Sequence, residues 1–360
     1  MSRKDLEAKK RHHYVWAKYL TSWGNGTKNV FYTTKTGKVA HDSVRAIAAD
    51  NYFYKTTILT SKHVEIIKSF SRQSPNHLQQ HHMSYLNDFL KMQQLGAIYS
   101  ESGIQDHETE APLHATKCNL MENLHASHEK MVLPVLSALA NEQLDILQDK
   151  QHMIEFMMFF GHQIVRTKPF RDGVLQAQPR RNIIAIEVAD AMAHAWWFLS
   201  YMFGMNIGFS LYSSRHDARH ALLINDTELP FITSDQPVVN VHSCVSETEF
   251  TAPEHADFYY PISPRVAYII CDSERFLPGK NKVDEATVAK FNTKVAAQAM
   301  VHIIGNTEGA ILPLRNHIGL RYAKKNAVLS TVTLNPIYFS LHFRDIQFER
   351  TTIIDRILML

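Results

Sequence analysis

The apolar and polar positions of the 360-residue chain divide it into a short mixed N-terminal part, a helical middle and a β-rich last third. Apolar residues at helical spacing predict a helix over 14–23, which Gly24-Asn25-Gly26 ends. Residues 28–34 alternate like a strand, and residues 39–44 return as its partner. The turn between them, 35–38, contains a glycine that can take the positive φ of a tight hairpin. The N-terminal unit is thus predicted to be a helix followed by a β-hairpin.

The middle of the chain, from residue 61 to about 203, has apolar residues at helical spacing. Thr60 or Ser61 is expected to cap the first helix, because a hydroxyl there can accept a backbone N–H of the first turn. A run of polar residues predicts an exposed loop over 101–110. The predicted helical segments are 61–70, 76–95, 133–165 as one or two helices, and a helix that begins at Asn182.

The last third alternates short apolar runs with Asp, Asn and Pro turns, which is typical of β-structure. One amphipathic helix is predicted within it, over 284–304. The predicted strands are 207–212, 221–224, 231–233, 238–241 and 266–271. A hairpin, a helical middle and a β-rich end predict an α+β fold rather than alternating α/β, with contacts between the hairpin and the late strands.

Length and composition favour one large α+β domain over 1–360, in which 11–60, 61–203 and 204–360 are candidate subdivisions. Apolar residues make up 45% of the chain and charged residues 20%, which is ordinary for a globular protein. The formal net charge of +3 is too small to indicate nucleic-acid binding from bulk electrostatics.

One apolar segment, 191–214, carries no charged residue and is long enough to be compared with a membrane span. His194, Ser200 and Gly204 interrupt it, and acidic residues lie one turn before it. The pattern therefore favours a buried helix that runs into a strand over a membrane-spanning helix.

The three cysteines, Cys118, Cys244 and Cys271, are far apart and odd in number, so a reducing cytoplasm is expected rather than a disulfide framework. Residues 1–11 are charged and no apolar run follows them, so no secretory signal is expected. The sequence lacks a phosphate-binding P-loop, a Gly-x-Gly-x-x-Gly motif, a Gly-x-Ser-x-Gly elbow and a Cys-x-x-Cys pair. The enzyme and zinc-finger classes that depend on these motifs are disfavoured.

Histidine is abundant, with 21 residues, and several histidines are spaced so that they share a helix face. Neutral imidazoles at such spacing could bind a divalent metal, although polar faces also hold histidines that bind nothing. The spaced pairs are His77 and His81, His125 and His128 beside Glu122 and Glu129, and His216 and His220. The metal is therefore a candidate cofactor whose identity the sequence leaves open.

His12 and His13 differ from these pairs because an aromatic and apolar run follows them. One imidazole should point inward with that run, and a buried histidine needs a hydrogen-bond partner. Two interpretations stay open, a core histidine bonded to a backbone carbonyl and a general acid or base.

Asp235 follows the apolar strand 231–233, and Pro237 keeps Gln236 from being helical. A carboxylate at a strand end can face a cleft and bind a metal or orient a histidine. The alternative is an Asx-turn in which Asp235 accepts an N–H of its own backbone segment.

Several of these pieces, taken in order, resemble a bacterial family known as domain of unknown function 4238. The matching pieces are His12-His13-Tyr14, Tyr19-Leu20, Val30-Phe31-Tyr32, Ile47-Ala48-Ala49, Phe53-Tyr54, Arg166-Thr167, Ile232-Thr233-Ser234-Asp235-Gln236-Pro237-Val238, Pro261-Ile262-Ser263-Pro264 and Asn292. The resemblance runs from about residue 11 to about residue 306. Trp16 and Lys168 stand where the family tends to have a proline, which leaves the local backbone at both places in doubt. The family has no known activity, so the resemblance implies no catalytic residue.

Two hypotheses about function follow. The first is a nuclease or other phosphodiester hydrolase acting on nucleic acid or a nucleotide, whose pocket joins His12 or His13 with Arg166, Asp235 and Asn292. Histidine would serve as acid or base, the aspartate as orienter or metal ligand, and the arginine would bind phosphate through a bidentate fork. The second is a non-catalytic binding or regulatory module in which the same residues form a structural hydrogen-bond network.

Overall fold

The computed structural model describes residues 7–178, 182–245, 255–320 and 322. Its strands are β1 (Arg11–His13), β2 (Asn29–Thr33), β3 (Val39–Ser43), β4 (Ala49–Asn51), β5 (Arg219–Ile224), β6 (Thr233–Ser234), β7 (Val239–Asn240), β8 (Asp257–Pro261), β9 (Val266–Cys271), β10 (Gly279–Lys282) and β11 (Ile303–Gly305). Its α-helices are α1 (Ala17–Leu20), α2 (Ser61–Ser71), α3 (Asn76–Glu101), α4 (His107–Ala140), α5 (Lys150–Val165), α6 (Lys168–Gln176), α7 (Ile183–His194), α8 (Trp196–Ser213), α9 (Glu285–Gln298) and α10 (Glu308–Ile311). This confirms the predicted α+β class, with a helical middle and sheets in the C-terminal half.

The N-terminal hairpin is confirmed, because β2 and β3 pair antiparallel from Asn29 with Ser43 to Thr33 with Val39. Gly37 in the turn has a φ of 74°, as a tight hairpin requires. The helix predicted over 14–23 is wrong at its start. Tyr14 and the residue after it donate their N–H groups to the Ala48 carbonyl, which holds this part of the chain extended until α1 begins.

The helical middle begins as predicted, since Thr60 caps α2 by accepting the N–H of His63. Asn182 likewise caps α7 through the N–H of Ala185, at 2.8 Å. The loop predicted over 101–110 is confirmed only over 102–106, because α3 continues to Glu101 and α4 starts at His107. Asp106 caps α4. Its carboxylate stabilises the first turn of the helix, although the residues there are polar and resemble a loop in sequence.

Helices α5 and α8 cross at very close range, and this corrects the strand predicted over 207–212. A Cβ at Gly161 would lie 2.5 Å from the backbone N of Gly208 and 2.6 Å from the carbonyl O of Gly204. The glycines that resemble helix breakers in the sequence therefore let two helix backbones touch, and α8 continues through them. The apolar run around them is buried in the main core.

Helix length and composition were also compared with those of a membrane span. None of the described helices is long and apolar enough by itself to cross a membrane. Helices α7 and α8 reach the length and apolar composition of a span only when they are taken together, and they are bent by 78° at their junction.

A five-stranded sheet in the order β10-β5-β9-β8-β7 separates two apolar cores. In β9, alternate residues beginning with Val266 pack with the helices, and those beginning with Ala267 pack with α9. Both faces of this strand are buried, which explains why its sequence is continuously apolar rather than alternating. The predicted strand over 266–271 is confirmed.

A four-stranded sheet in the order β3-β2-β11-β6 joins the N-terminal hairpin to the late strands, as predicted. Ile304 of β11 pairs with Tyr32 on one side and with Thr233 of β6 on the other. The helix predicted over 284–304 is wrong at its end, because α9 stops at Gln298 and the chain then extends into β11.

Candidate functional site

His12 is a buried anchor of the N-terminal strand β1. Its Nε2 lies 2.9 Å from the carbonyl O of Lys9, and its Nδ1 accepts the backbone N–H of Tyr54 at 2.9 Å. This pattern places the ring proton on Nε2. Burial lowers the pKa of His12, which favours the neutral imidazole that these two bonds need. Both ring nitrogens are thus occupied by backbone groups.

Arg166 follows the last residue of α5, and its guanidinium lies inside the protein with 3% exposure. Nη1 donates to Glu129 Oε1 at 2.7 Å, Nη2 to the carbonyl O of His13 at 2.8 Å, and Nε to Tyr54 Oη at 3.2 Å. Burial by itself lowers the pKa of Arg166, but Tyr54 and Glu129 raise it on balance. The guanidinium is a fixed positive charge whose N–H groups bond to the protein.

The His13 imidazole is half-buried beside this charge. Its Nε2 lies 3.3 Å from the carbonyl O of Arg45. Burial lowers the pKa of His13, and the charges of Arg11 and Arg166 act in the same direction, against the effect of the Arg45 carbonyl. His13 is thus a neutral, half-buried imidazole, and its backbone carbonyl bonds Arg166.

Asp235 follows β6 and is 1% exposed. Its Oδ1 accepts the N–H of Met300 at 3.0 Å, and its Oδ2 accepts those of Val301 at 2.7 Å and His302 at 3.0 Å. Burial raises the pKa of Asp235, while His302 and these N–H groups oppose the rise. The carboxylate therefore holds the segment that leads from α9 into β11, and this segment is where the predicted helix fails to continue.

Asn292 lies on α9, in the core on the other side of the five-stranded sheet. Its Nδ2 donates to the carbonyl O of Pro230 at 2.9 Å, and its Oδ1 accepts the N–H of Ile232 at 3.1 Å. The side chain ties α9 to the chain that enters β6. It makes these bonds away from Arg166 and His13.

The sequence segments around His13, Arg166 and Asp235 do meet. Thr167 donates its hydroxyl to Gln236 Oε1, and Gln236 Nε2 donates to the carbonyl O of Ile164 at 3.1 Å. Arg166 contacts His13 directly, because its Nη2 donates to the carbonyl O of His13. Asp235 instead accepts backbone N–H groups of the segment that leads into β11. The structure thus brings together two of the predicted site residues and a neighbour of a third.

A second set of polar residues, which we call the α4–α5 polar cluster, extends inward from Arg166. Its members are Glu122, His125, His128 and Glu129 of α4, His162 of α5, and Arg166. The spacing Glu-x-x-His-x-x-His-Glu places the four α4 residues on one face of the helix. The sequence pattern drew attention to the pair His125 and His128 with its flanking glutamates, but not to His162, whose isolated position in an apolar helix gives no signal.

The histidine rings of the cluster lie against one another and against Tyr201 of α8. The ring centroids of His125 and His162 are 5.4 Å apart, and those of His128 and His162 are 4.9 Å apart. His128 Nε2 lies 3.1 Å from Tyr201 Oη, but no ring nitrogen of His125 or His162 has a hydrogen-bond partner in the protein. Burial lowers the pKa of all three histidines, that of His128 to about 4, so the rings are neutral at neutral pH.

Glu122 is a carboxyl group of the cluster whose pKa lies near neutral pH. It is half-buried, and its Oε2 has no hydrogen-bond partner in the protein. Burial raises the pKa of Glu122 to about 7, the charge of Arg166 opposes this rise, and the like charge of Glu129 adds to it. Strongly shifted pKa values of this kind are enriched at sites of acid–base chemistry.

Metal binding was the other chemistry that the histidine spacing suggested. Within 7–178, 182–245, 255–320 and 322, no group of three or more His, Cys, Asp or Glu is arranged to hold a metal ion. His216 and His220 do not share a helix, because His220 lies in β5 and bonds Tyr268 Oη and the Arg215 carbonyl. The predicted divalent metal therefore finds no fitting ligand set among these residues.

The comparisons with known proteins add one finding. No curated protein and no solved structure matches the chain. A family model described as a protein of unknown function, DUF4238, matches residues 11–309. This match contains both the junction of His13 with Arg166 and the whole α4–α5 polar cluster. The chain belongs to the DUF4238 family.

Proposed function

We propose that the α4–α5 polar cluster is an acid–base centre and that the chain is a hydrolase. The observation that carries the proposal is the half-buried Glu122, whose pKa lies at about 7 and whose Oε2 has no partner in the protein. A general base works best when its pKa is close to the working pH. A carboxyl group with these properties can take a proton from a water molecule at neutral pH.

The other members of the cluster have supporting parts in this proposal. Arg166 supplies a fixed positive charge that favours negative charge developing near Glu122, and Glu129 positions the guanidinium through the 2.7 Å ion pair. His128, and His13 outside the cluster, are neutral, half-buried imidazoles that can donate or accept a hydrogen bond. His12, Asp235 and Asn292 are assigned structural roles, since their polar atoms already bond to backbone.

A phosphodiester, in a nucleic acid or a nucleotide, is the substrate class that we propose. The support is the buried positive charge of Arg166, since phosphoryl transfer depends on stabilising negative charge on oxygen. The positive charge of Arg166 would attract a phosphate. The guanidinium offers no free bidentate fork, because Nη1 already donates to Glu129 and Nη2 to the carbonyl O of His13. The free thiols Cys118, Cys244 and Cys271 support our further proposal of a cytoplasmic location.

The test compares the full-length protein with its Glu122→Gln variant on bis(p-nitrophenyl) phosphate, p-nitrophenyl phosphate and p-nitrophenyl acetate. The diester should be hydrolysed fastest, and the variant should lose about 100-fold or more in kcat. The wild-type rate should rise with pH as the carboxyl ionises near its pKa of about 7. Glu110→Gln, which changes an exposed glutamate on the same helix, is the matched control. Equal rates for Glu122→Gln and wild type on all three substrates would refute the proposal.

The second candidate is a non-catalytic binding or regulatory module. It is favoured by the complete hydrogen bonding of His12, Asp235 and Asn292, since such networks fix a unique core. Under this candidate, the wild type and Glu122→Gln would both hydrolyse the three substrates no faster than the buffer does. Variants of Asp235 would still unfold more easily than the wild type.

A further inference from the structure

A cysteine and a histidine lie in direct contact after strand β7, far along the chain from the α4–α5 polar cluster. The Sγ of Cys244 is 2.8 Å from Nδ1 of His242 and 3.4 Å from both the backbone N and the carbonyl O of His255. The N–H of His255 donates to the sulfur, and its carbonyl O can accept from the thiol. Nδ1 of His242 also accepts the backbone N–H of Cys244 at 3.2 Å, so the ring carries its proton on Nε2 and offers Nδ1 as a base. A thiol beside a base and a peptide N–H is the arrangement of an activated sulfur nucleophile.

This contact is held in place by the residues around it. The side-chain Oδ1 of Asn240 accepts the N–H groups of His242 and Asp257, each at 3.0 Å, and its Nδ2 donates to the carbonyl O of His255 at 3.0 Å. Lys294 on α9 donates to the carbonyl O of His242 at 2.9 Å. One buried amide thus fixes both segments that contribute to the sulfur, which gives the pair the preorganisation that reactive sites require.

His242 lines a recess of about 430 Å³ that is open to solvent, and Cys244 adjoins this recess through its contact with His242. Its lining consists of His242, Ser243, His255, Asp272, Ser273, Glu274, Arg275 and Lys290. Glu274 pairs with Arg219 at 2.9 Å, and Asp272 accepts the backbone N–H of Ala256 at 2.9 Å. With Arg219 included, the three cations Arg219, Arg275 and Lys290 outnumber the two carboxylates Asp272 and Glu274, which leaves positive charge at the recess for an anionic ligand.

We propose that Cys244 is a nucleophilic thiol, activated by His242, that exchanges with small disulfides carrying carboxylate groups. Nδ1 of His242 takes the thiol proton, and the thiolate attacks one sulfur of the disulfide. The S–S bond of the ligand breaks as the new S–S bond to Cys244 forms. The departing thiolate takes the proton from the imidazolium, so the exchange needs no other oxidant or reductant.

The chain contains its own control thiols for a test, because Cys118 and Cys271 are fully buried at 0% exposure whereas Cys244 is half-buried. The full-length protein is incubated with oxidised glutathione at neutral pH, and each cysteine is followed by peptide mass spectrometry. Cys244 should form the mixed disulfide about tenfold or more faster than either buried thiol, and dithiothreitol should reverse it. A Cys244 that reacts no faster than Cys118 and Cys271 would overturn the proposal.

The role of His242 is tested with two variants of matched size. His242→Asn keeps an acceptor for the N–H of Cys244 but removes the base, and it should slow the exchange about tenfold. His255→Asn removes the neighbouring imidazole while keeping the peptide N–H that bonds the sulfur, and it should change the rate by less than about threefold. Near-ultraviolet circular dichroism confirms that both variants are folded. Equal rates in His242→Asn and wild type, or equal losses in the two variants, would rule out the proposed base.

The positive charge of the recess is tested with Lys290→Glu. This variant should slow exchange with oxidised glutathione about threefold to tenfold more than it slows exchange with neutral 2-hydroxyethyl disulfide. An equal effect on the two disulfides would show that carboxylate groups are not recognised, and would refute that part of the proposal.

Discussion

Asp235 and His162 are each only 1% exposed, but their polar atoms are in opposite situations. The carboxylate of Asp235 accepts three backbone N–H groups, whereas neither ring nitrogen of His162 has a hydrogen-bond partner in the protein. A buried polar atom without a partner costs about 1–3 kcal/mol, so the first arrangement stabilises the fold and the second weakens it. Hydrogen-bond satisfaction therefore distinguishes these two residues, while burial does not.

Arg166 apart, a similar contrast holds between the segments that the family resemblance highlights and the α4–α5 polar cluster. Arg166 belongs to both sets, and its guanidinium is bonded to Tyr54, Glu129 and His13. His12 and Asn292, which belong to those segments, have their polar atoms bonded to backbone. Glu122 and His125, which lie in the cluster, keep atoms without partners. Proteins commonly retain such unfavourable groups where activity depends on them.

Replacing Arg166 with Met should have the largest effect on stability. The change leaves the buried Glu129 carboxylate without its partner and the carbonyl O of His13 without a donor. Removing one member of a buried ion pair costs about 3–5 kcal/mol, and urea unfolding would measure this loss. The double variant Arg166→Met, Glu129→Gln should recover part of it, because no unpaired carboxylate remains.

Arg171→Met is the matched control, since its half-buried guanidinium pairs with the neighbouring Asp172. It should lose less than about 1 kcal/mol. Similar losses for Arg166→Met and Arg171→Met would mean that the interior ion pair contributes no more than a surface one.

Asp235→Ala should cost about 3 kcal/mol in the free energy of unfolding, because three backbone donors lose their acceptor inside the protein. Asp284→Ala is the comparison, because this exposed carboxylate accepts the N–H of Thr287, at 2.9 Å, as the cap of α9. It should cost clearly less than Asp235→Ala. A loss at Asp235 no larger than at Asp284 would contradict the structural role that we assign to Asp235.

Local patterns in the sequence were sufficient to predict the elements that depend on neighbouring residues. The hairpin around Gly37, the cap at Thr60 and the strand Val266–Cys271 all follow from spacing or from turn chemistry. The predicted strand over 207–212 failed because the role of Gly204 and Gly208 depends on α5, more than 40 residues earlier in the chain. Such long-range packing leaves no periodic signal.

The candidate site was predictable to a similar extent. The spacing of His125 and His128 with their flanking glutamates is visible in the sequence, whereas Arg166 is singled out only by the resemblance to the family. The partners that decide their roles are not visible. His162 lies in an otherwise apolar helix, and the bonds of Asp235 go to residues more than 60 positions away.

A smaller effect is expected when Glu122 is replaced by Gln and stability is followed with pH. The folded-state pKa of Glu122 is raised to about 7 from 4.5, so its contribution to stability is present below pH 4.5 and is lost as pH rises through about 7. The stability of Glu122→Gln relative to wild type should therefore increase over this window by about 1–3 kcal/mol and then level off. Chemical unfolding at a series of pH values measures the difference.

The difference between variant and wild type is the informative quantity, because the cluster histidines act in the other direction. Their folded-state pKa values are lowered, so the stability that the neutral rings contribute is lost in both proteins as pH falls through 6.5. Glu110→Gln, at an exposed position on the same helix, should give a flat difference. A flat difference for Glu122→Gln as well would show that its pKa is not raised.

The smallest change in stability is expected for His162→Leu. The substitution removes two buried nitrogens that have no partner in the protein and keeps most of the buried volume. Replacing unpaired polar groups by apolar ones is nearly neutral or stabilising. We therefore expect the free energy of unfolding to rise by between about 0 and 1 kcal/mol. The same substitution at His12, His12→Leu, should instead cost about 2 kcal/mol, because it leaves the carbonyl O of Lys9 and the N–H of Tyr54 unpaired.

These two variants make the same chemical change at histidines that are 0% and 1% exposed, so burial cancels in the comparison. The difference between their free energies of unfolding measures hydrogen-bond satisfaction alone. If His162→Leu lost as much stability as His12→Leu, the ring of His162 would have to be bonded in solution, for example to ordered water. The His162 part of the α4–α5 polar cluster would then be satisfied like Asp235, and the acid–base role would rest on Glu122 without support from unpaired histidines.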